Sequence, residues 1–194
     1  IKMVLNMLML NLPVEKIGGE MYELLTMANR TTEDVFSLLD NLLKWTKSQI
    51  GNLNVVYQDV DAVEVVDSVI DVFNMVAGLK KITIREEKPE KLPVCTDIDM
   101  LKTIIRNLLS NAIKFSNENS EVLVKMEEQG DTVVVSVKDS GCGIDEEGQK
   151  KLLHTDTHFS TFGTNNEEGS GLGLLLCQDF AVKSGGKLWF TSKK

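Results

Sequence analysis

The residues of this chain best suited to chemistry fall in three short segments. These are Asn107-Leu-Leu-Ser-Asn111-Ala-Ile-Lys114-Phe115-Ser116, Asp139-Ser-Gly141-Cys-Gly143-Ile144-Asp145 and Glu168-Gly169-Ser-Gly171-Leu172-Gly173-Leu174. In the first, Asn107, Asn111 and Lys114 stand at i, i+4 and i+7, which sets them on one face of a helix. Carboxamide oxygens are hard neutral ligands that suit Mg2+ and its waters, and a lysine ammonium is a point charge that suits phosphate. Leu101, Ile104, Ile105, Leu108, Leu109 and Ile113 would supply the opposite, buried side. Taken alone, a polar face of this kind serves solvation as readily as binding.

The second segment follows directly on a strand-like run. An ionised carboxylate just past a strand end can accept a hydrogen bond from an exocyclic amine, and two glycines let the backbone approach a flat ring. A simple turn is the equal alternative for Asp-x-Gly-x-Gly by itself, and its glycines do not open a helix as those of a dinucleotide fingerprint do. The third segment does open one. Gly169, Gly171 and Gly173 precede a helix whose buried face is Leu174, Leu175, Cys177, Phe180 and Ala181, and the free N–H groups and positive dipole end of such a helix favour phosphate oxygens.

Positioning these segments requires a scaffold of alternating short strands and helices from residue 53 onward. Residues 54–59, 82–86, 121–128, 132–139 and 187–191 read as strands, and 61–76, 97–115 and 170–184 as helices. The turn Gln129-Gly130-Asp131 joins an antiparallel hairpin, and the polar run between Leu153 and Gly169 reads as a long loop. Before residue 53 the texture is helical throughout. Residues 1–11 form the end of one helix, and Met21, Leu24, Ala28, Thr31, Val35, Leu38, Leu42 and Trp45 form the seam of a second, running from about 19 to 50. A hairpin of two such helices buries its seam most economically by pairing with a second copy; the alternative is packing on its own C-terminal domain. The expected class is α+β: a helical hairpin over 1–52 dimerising as a four-helix bundle, then an α/β two-layer sandwich over 53–194, a mixed sheet with helices on one face.

The composition narrows the function classes. The 194 residues are 42% hydrophobic and 26% charged, with a net charge of −8; that deficit of cations argues against a nucleic-acid binder. Cys95, Cys142 and Cys177 are scattered and free of any Cys-x-x-Cys spacing, so neither a disulfide framework nor a zinc site is indicated. A reducing, cytoplasmic setting fits best. The apolar stretch at residues 3–12 is too short for a membrane span, so any membrane attachment is expected through segments not in this chain, leaving this part cytoplasmic whether free or membrane-anchored.

In their order and context the three segments resemble the N, G1 and G2 boxes of the sensor histidine kinase catalytic domain, within the GHKL superfamily that includes type II topoisomerases, heat-shock chaperones and mismatch-repair ATPases. Phe159-Ser-Thr-x-Gly163-Thr is similar to the kinase F box and ATP lid, Gly185-Gly186-Lys187-Leu188-Trp189 to the closing strand, and Leu38-Leu-Asp-Asn-Leu-Leu-Lys-Trp45 to the dimerisation and phosphotransfer hairpin. The resemblance implies that Asn111 coordinates Mg2+ and that Asn107 lies beside the phosphates, assisting transfer or holding water. It further implies that Lys114 pairs with phosphate, Phe115 flanks the nucleotide, Asp139 accepts from the adenine amino group, Gly141 and Gly143 shape the base pocket, and Gly169, Gly171, Leu172 and Gly173 line the triphosphate under a lid containing Phe159. Many relatives have Tyr where Phe115 stands, so no hydroxyl role carries over.

The implied function is ATP-dependent histidine phosphorylation by a homodimer formed through residues 1–50, followed by transfer to a response regulator aspartate on its receiver domain. The family's His-Glu/Asp-x-x-x-Pro acceptor box is not in this sequence, and His154 and His158 fall in the lid, so the acceptor is expected upstream of Ile1. The end at Lys194 likewise reads as preceding the family's final strand. A nucleotide-binding scaffold without transfer and a GHKL-type ATPase are the alternatives; the hairpin ahead of the ATP domain favours the kinase.

Overall fold

The computed structural model describes residues 19–49, 54–152, 163–164 and 171–194. The chain divides into two compact units, Ile1–Gln49 and Ile50–Lys194. In the first, a single described helix, α1 (Gly19–Gln49), coincides with the expected seam helix. Met21, Leu24, Val35, Leu38 and Leu42 of that seam are all exposed in the single chain, as are Met27, Phe36, Leu39 and Leu43 beside it. The helix expected over residues 1–11 lies outside the described residues. Among the described residues no helix is long and apolar enough to cross a membrane.

The second unit contains β1 (Gln58–Asp61), α2 (Ala62–Leu79), β2 (Thr83–Glu87), β3 (Pro93–Thr96), α3 (Ile98–Phe115), β4 (Glu121–Gln129), β5 (Thr132–Lys138), α4 (Glu146–Lys151) and α5 (Gly173–Lys183). Strand β1 pairs antiparallel with β3. Strand β4 lies between β2, to which it is parallel, and β5, to which it is antiparallel. The β4–β5 register pairs Gln129 with Thr132, which leaves Gly130 at φ +62° to make the tight turn.

Alternation along β4 explains the layering. Val122, Val124 and Met126 are buried against Val66, Ile70, Ile105, Leu109 and Ile113 of α2 and α3, whereas the alternate residues Lys125 and Glu127 form an ion pair of 2.7 Å. Charge on the second face and apolar packing on the first put the helices on one side of a mixed sheet.

Both long helices of this unit begin at an aspartate that also ties in a distant strand or segment. The Asp61 carboxylate accepts from Val63 N at 3.0 Å to cap α2 and from Leu92 N at 2.9 Å, just before β3. Asp97 accepts from Asp99 N and Met100 N at the start of α3, and its second oxygen accepts from Val56 N at 2.9 Å. One side chain thus satisfies orphan helix donors and a tertiary contact together.

Several expectations shift. The first strand starts at Gln58, and residues 54–57 carry no regular structure; Val56 gives its N–H to Asp97 instead of to a ladder. The strand β3 and the short helix α4, capped by Asp145 through Gly148 N at 2.8 Å, were not legible as elements. No strand forms over 187–191. There the C-terminal segment is held through Ser192, whose hydroxyl accepts from Ile144 N at 2.9 Å and whose carbonyl accepts from Gln149 Nε2 at 3.2 Å.

Candidate functional site

Helix α3 is the spine on which the motif segments meet. Its buried residues are Met100, Thr103, Ile105, Leu109, Ala112 and Ile113, with Leu101, Ile104 and Leu108 only half-buried. The buried arc is displaced from the expected one because α3 is covered twice, by α2 and β4 on one side and by α5 on another. The Ser184 hydroxyl donates to Met100 Sδ at 3.5 Å, and Cys177 Sγ lies 3.9 Å from Ile104 O. Burial pushes the Cys177 thiol up to about 12, with the Asn107 side chain pulling the other way, so the neutral thiol packs as a small apolar group.

Asn107 is therefore half-buried rather than solvated. Its amide nitrogen donates to Thr103 O at 3.0 Å, and its Oδ1 faces α5 so closely that a Cβ on Gly173 would come within 2.7 Å of it. Gly171, at φ +69°, turns the chain into α5. Unlike α2 and α3, helix α5 begins without a side-chain cap or an acidic residue in its first turn. The N-terminus of such a helix carries a partial positive charge that suits anionic groups in general.

The other end of α3 meets the Asp139 turn. Ser116, the C-cap of α3, forms an antiparallel bridge with Gly141. A Cβ on Gly141 would lie 2.5 Å from Phe115 O and 2.8 Å from Asp139 Oδ1, so only glycine allows the turn to close on the helix. Gly141 N donates to Asp139 Oδ1 at 2.9 Å, which orients an otherwise exposed carboxylate. Beside it the Ser116 hydroxyl is fully buried and has no hydrogen-bond partner. Lys114 Nζ sits 4.9 Å from the centroid of the Phe115 ring. Gly143, at φ +67°, presses on the Lys193 backbone, where a Cβ would collide with Lys193 O.

The geometry thus joins Asp139, Gly141, Phe115 and Lys114 at one end of α3 and Asn107, Leu172 and Gly173 farther along it, with Asn111 on the stretch between. Gly143 lies instead against the C-terminal segment at Lys193 and Lys194. Phe159 and Gly169 lie outside the described residues, as do His154 and His158. Two further residues meet the end of α3: Lys80, given no role in the sequence analysis, whose ammonium is buried against the Ile113 and Lys114 carbonyls, and Thr164, the last residue of the lid-like motif, which docks on the Lys114 and Ser116 carbonyls. Among the described residues no group of three or more His, Cys, Asp or Glu side chains is placed to hold a metal. The neutral carboxamide of Asn111 fits a Mg2+ ion that arrives with phosphate oxygens and keeps several waters, not one gripped by protein alone.

A family profile described as histidine kinase-, DNA gyrase B-, and HSP90-like ATPase matches residues 96–194. The chain is 30% identical over 157 residues to the adaptive-response sensory kinase SasA of Rippkaea orientalis (strain PCC 8801 / RF-1), an alignment covering 80% of this chain and 40% of that protein. It is 26% identical over 170 residues to the sensor histidine kinase WalK of Bacillus subtilis (strain 168), covering 87% of this chain and 28% of WalK. Among solved structures, the nucleotide-free catalytic domain of histidine kinase ThkA superposes with a TM-score of 0.61 at 30% identity, over 69% of this chain and 86% of that one. The chain spans about 40% of the length of the SasA proteins it matches first.

Proposed function

The chain belongs to the histidine kinase-, DNA gyrase B- and HSP90-like ATPase family, and from that premise we propose that it binds Mg–ATP along α3 and serves a sensor histidine kinase as its ATP-binding and dimerisation part. The γ-phosphoryl group would pass to a protein histidine and then to a response regulator aspartate. The observation that carries the reading is the convergence on one helix: the Asp139–Gly141 turn closes on its C-cap while Gly173 abuts Asn107.

In this reading Asp139 accepts from the adenine amino group, and Gly141 keeps the turn near enough to the helix for the base to lie between it and Phe115. Lys114 meets phosphate, Asn107 sits beside the phosphates, and Gly169, Gly171, Leu172, Gly173 and the first turn of α5 hold the remaining anionic oxygens. Asn111 would hold Mg2+, whose chemistry when bound is to neutralise charge on the transferring phosphoryl group. The residues act mainly by positioning and by fixed dipoles. The exposed apolar residues of α1 support homodimerisation through residues 1–50, because that stripe needs a covering partner.

Incubation of the full-length protein with γ-labelled ATP tests the reading. The expected result is an acid-labile, base-stable label on histidine that disappears in Asn111→Ala. Release of free phosphate with no labelled protein would contradict it and point to an ATPase.

A further inference from the structure

Lys80 ends α2 with its side chain inside the protein, only 6% exposed. A buried ammonium needs oxygen acceptors for its N–H groups, and here they come from the last turn of α3 and from one threonine. Lys80 Nζ donates to Ile113 O at 3.0 Å, to Lys114 O at 2.9 Å and to Thr164 Oγ1 at 2.6 Å. The helix carbonyls are the negative end of the α3 dipole, where a cation is favoured. Thr164 adds its own grip: its N–H donates to Lys114 O at 3.1 Å, and its hydroxyl, 2.8 Å from Ser116 O, donates to that carbonyl while accepting from Lys80.

The turn that carries Lys114 and Phe115 is therefore pinned from two directions, by the end of α2 and by the residue after Gly163. We propose that Lys80 and Thr164 form a clasp that positions the last turn of α3, and with it Lys114, for the triphosphate. Lys80 is a positioning residue: it touches the main chain of the binding helix, not the nucleotide. The proposal rests on the Mg–ATP reading above.

The test is an equilibrium titration of the chain with ribose-trinitrophenyl ATP in Mg2+, comparing Lys80→Met, Thr164→Val and the double variant, with thermal unfolding measured in parallel. Each single variant is expected to stay folded and to bind about tenfold more weakly. The double variant should be no weaker than either single, because both substitutions open the same clasp. If Lys80→Met does not fold, Thr164→Val decides, since it keeps the side chain's shape and removes only its hydroxyl. Folded variants with wild-type affinity would overturn the clasp, as would a double variant about a hundredfold weaker, the sum of two independent losses. Absence of binding by the wild-type chain would instead defeat the nucleotide reading itself, and the clasp with it.

Discussion

Asp139→Asn is expected to leave the chain folded while lowering its affinity for Mg–ATP by about a hundredfold. The carboxamide oxygen of asparagine can still accept the hydrogen bond that Gly141 N now gives to Asp139 Oδ1 at 2.9 Å. The turn should therefore persist, with stability within about 0.5 kcal/mol of wild type, as for most exposed substitutions. What changes is the group offered to the ligand. A charged acceptor becomes an amide whose NH2 can face the adenine amine donor to donor, and a lost hydrogen bond to a charged group costs about 1.5–3 kcal/mol before that repulsion is counted. Inosine triphosphate supplies the converse check, because its C6 carbonyl can accept from the new amide; the variant should recover relative preference for it. Competition titration of the two nucleotides measures both effects, and wild-type affinity for ATP in the variant would sink the assignment of Asp139 to the base.

Gly141→Ala should impair stability and binding together. The added methyl would sit 2.5 Å from Phe115 O and 2.8 Å from Asp139 Oδ1. The nearer clash is with main chain that has no rotamer to yield. Relief requires the turn to withdraw from α3, which opens the Ser116–Gly141 bridge at about 1–3 kcal/mol of stability, the usual cost of overpacking. The same withdrawal moves Asp139 away from Phe115, so ATP affinity should fall by at least about tenfold even where the protein is fully folded. Gly130→Ala is the control. Its φ of +62° makes any side chain strained, but nothing lies within 4 Å of its Cβ position and it sits at the far tip of the β4–β5 hairpin. Urea unfolding should register a loss in both variants, and nucleotide titration only in Gly141→Ala. Undiminished binding by Gly141→Ala would show that closure of the turn on α3 is irrelevant to the ligand.

What the sequence made legible follows from how local each signal is. Helix α3 was read within a residue of its observed bounds because Asp97 marks its start and its apolar residues recur at helical spacing. The β4–β5 hairpin was equally plain from alternation around Gly130. Strand β3 was not, because four residues opening on Pro93 carry no alternation of their own and become a strand only by pairing with β1. The expected strand over 187–191 has good strand composition, yet Ser192 and Gln149 tie that region down through side chains. Local preference yields there to tertiary contacts.

The site shows the same division. Asn107, Asp139, Gly141 and Gly173 stand out as residue types at telling spacings, and the structure closes Gly141 on Phe115 and Gly173 on Asn107, with no room for a Cβ at either glycine. Lys80 carried no such signal. It is one of two adjacent lysines after a helix, and it is buried only because the ends of α2 and α3 abut, a fact of tertiary packing. Thr164 was visible only as the tail of the Phe159-Ser-Thr-x-Gly163 run, with nothing in its neighbours to mark the two carbonyl oxygens at the end of α3 and the Lys80 ammonium that meet its hydroxyl.

The central claim is that α3 and the segments closed on it bind Mg–ATP, with the metal arriving through the nucleotide. Calorimetric titration of the chain with ATP, in Mg2+ and again in excess EDTA, tests it most directly. The account predicts one site per chain, weakened when Mg2+ is withdrawn and weakened again in Asn111→Ala. No saturable heat in Mg2+, or binding indifferent to both Mg2+ and Asn111, would contradict it.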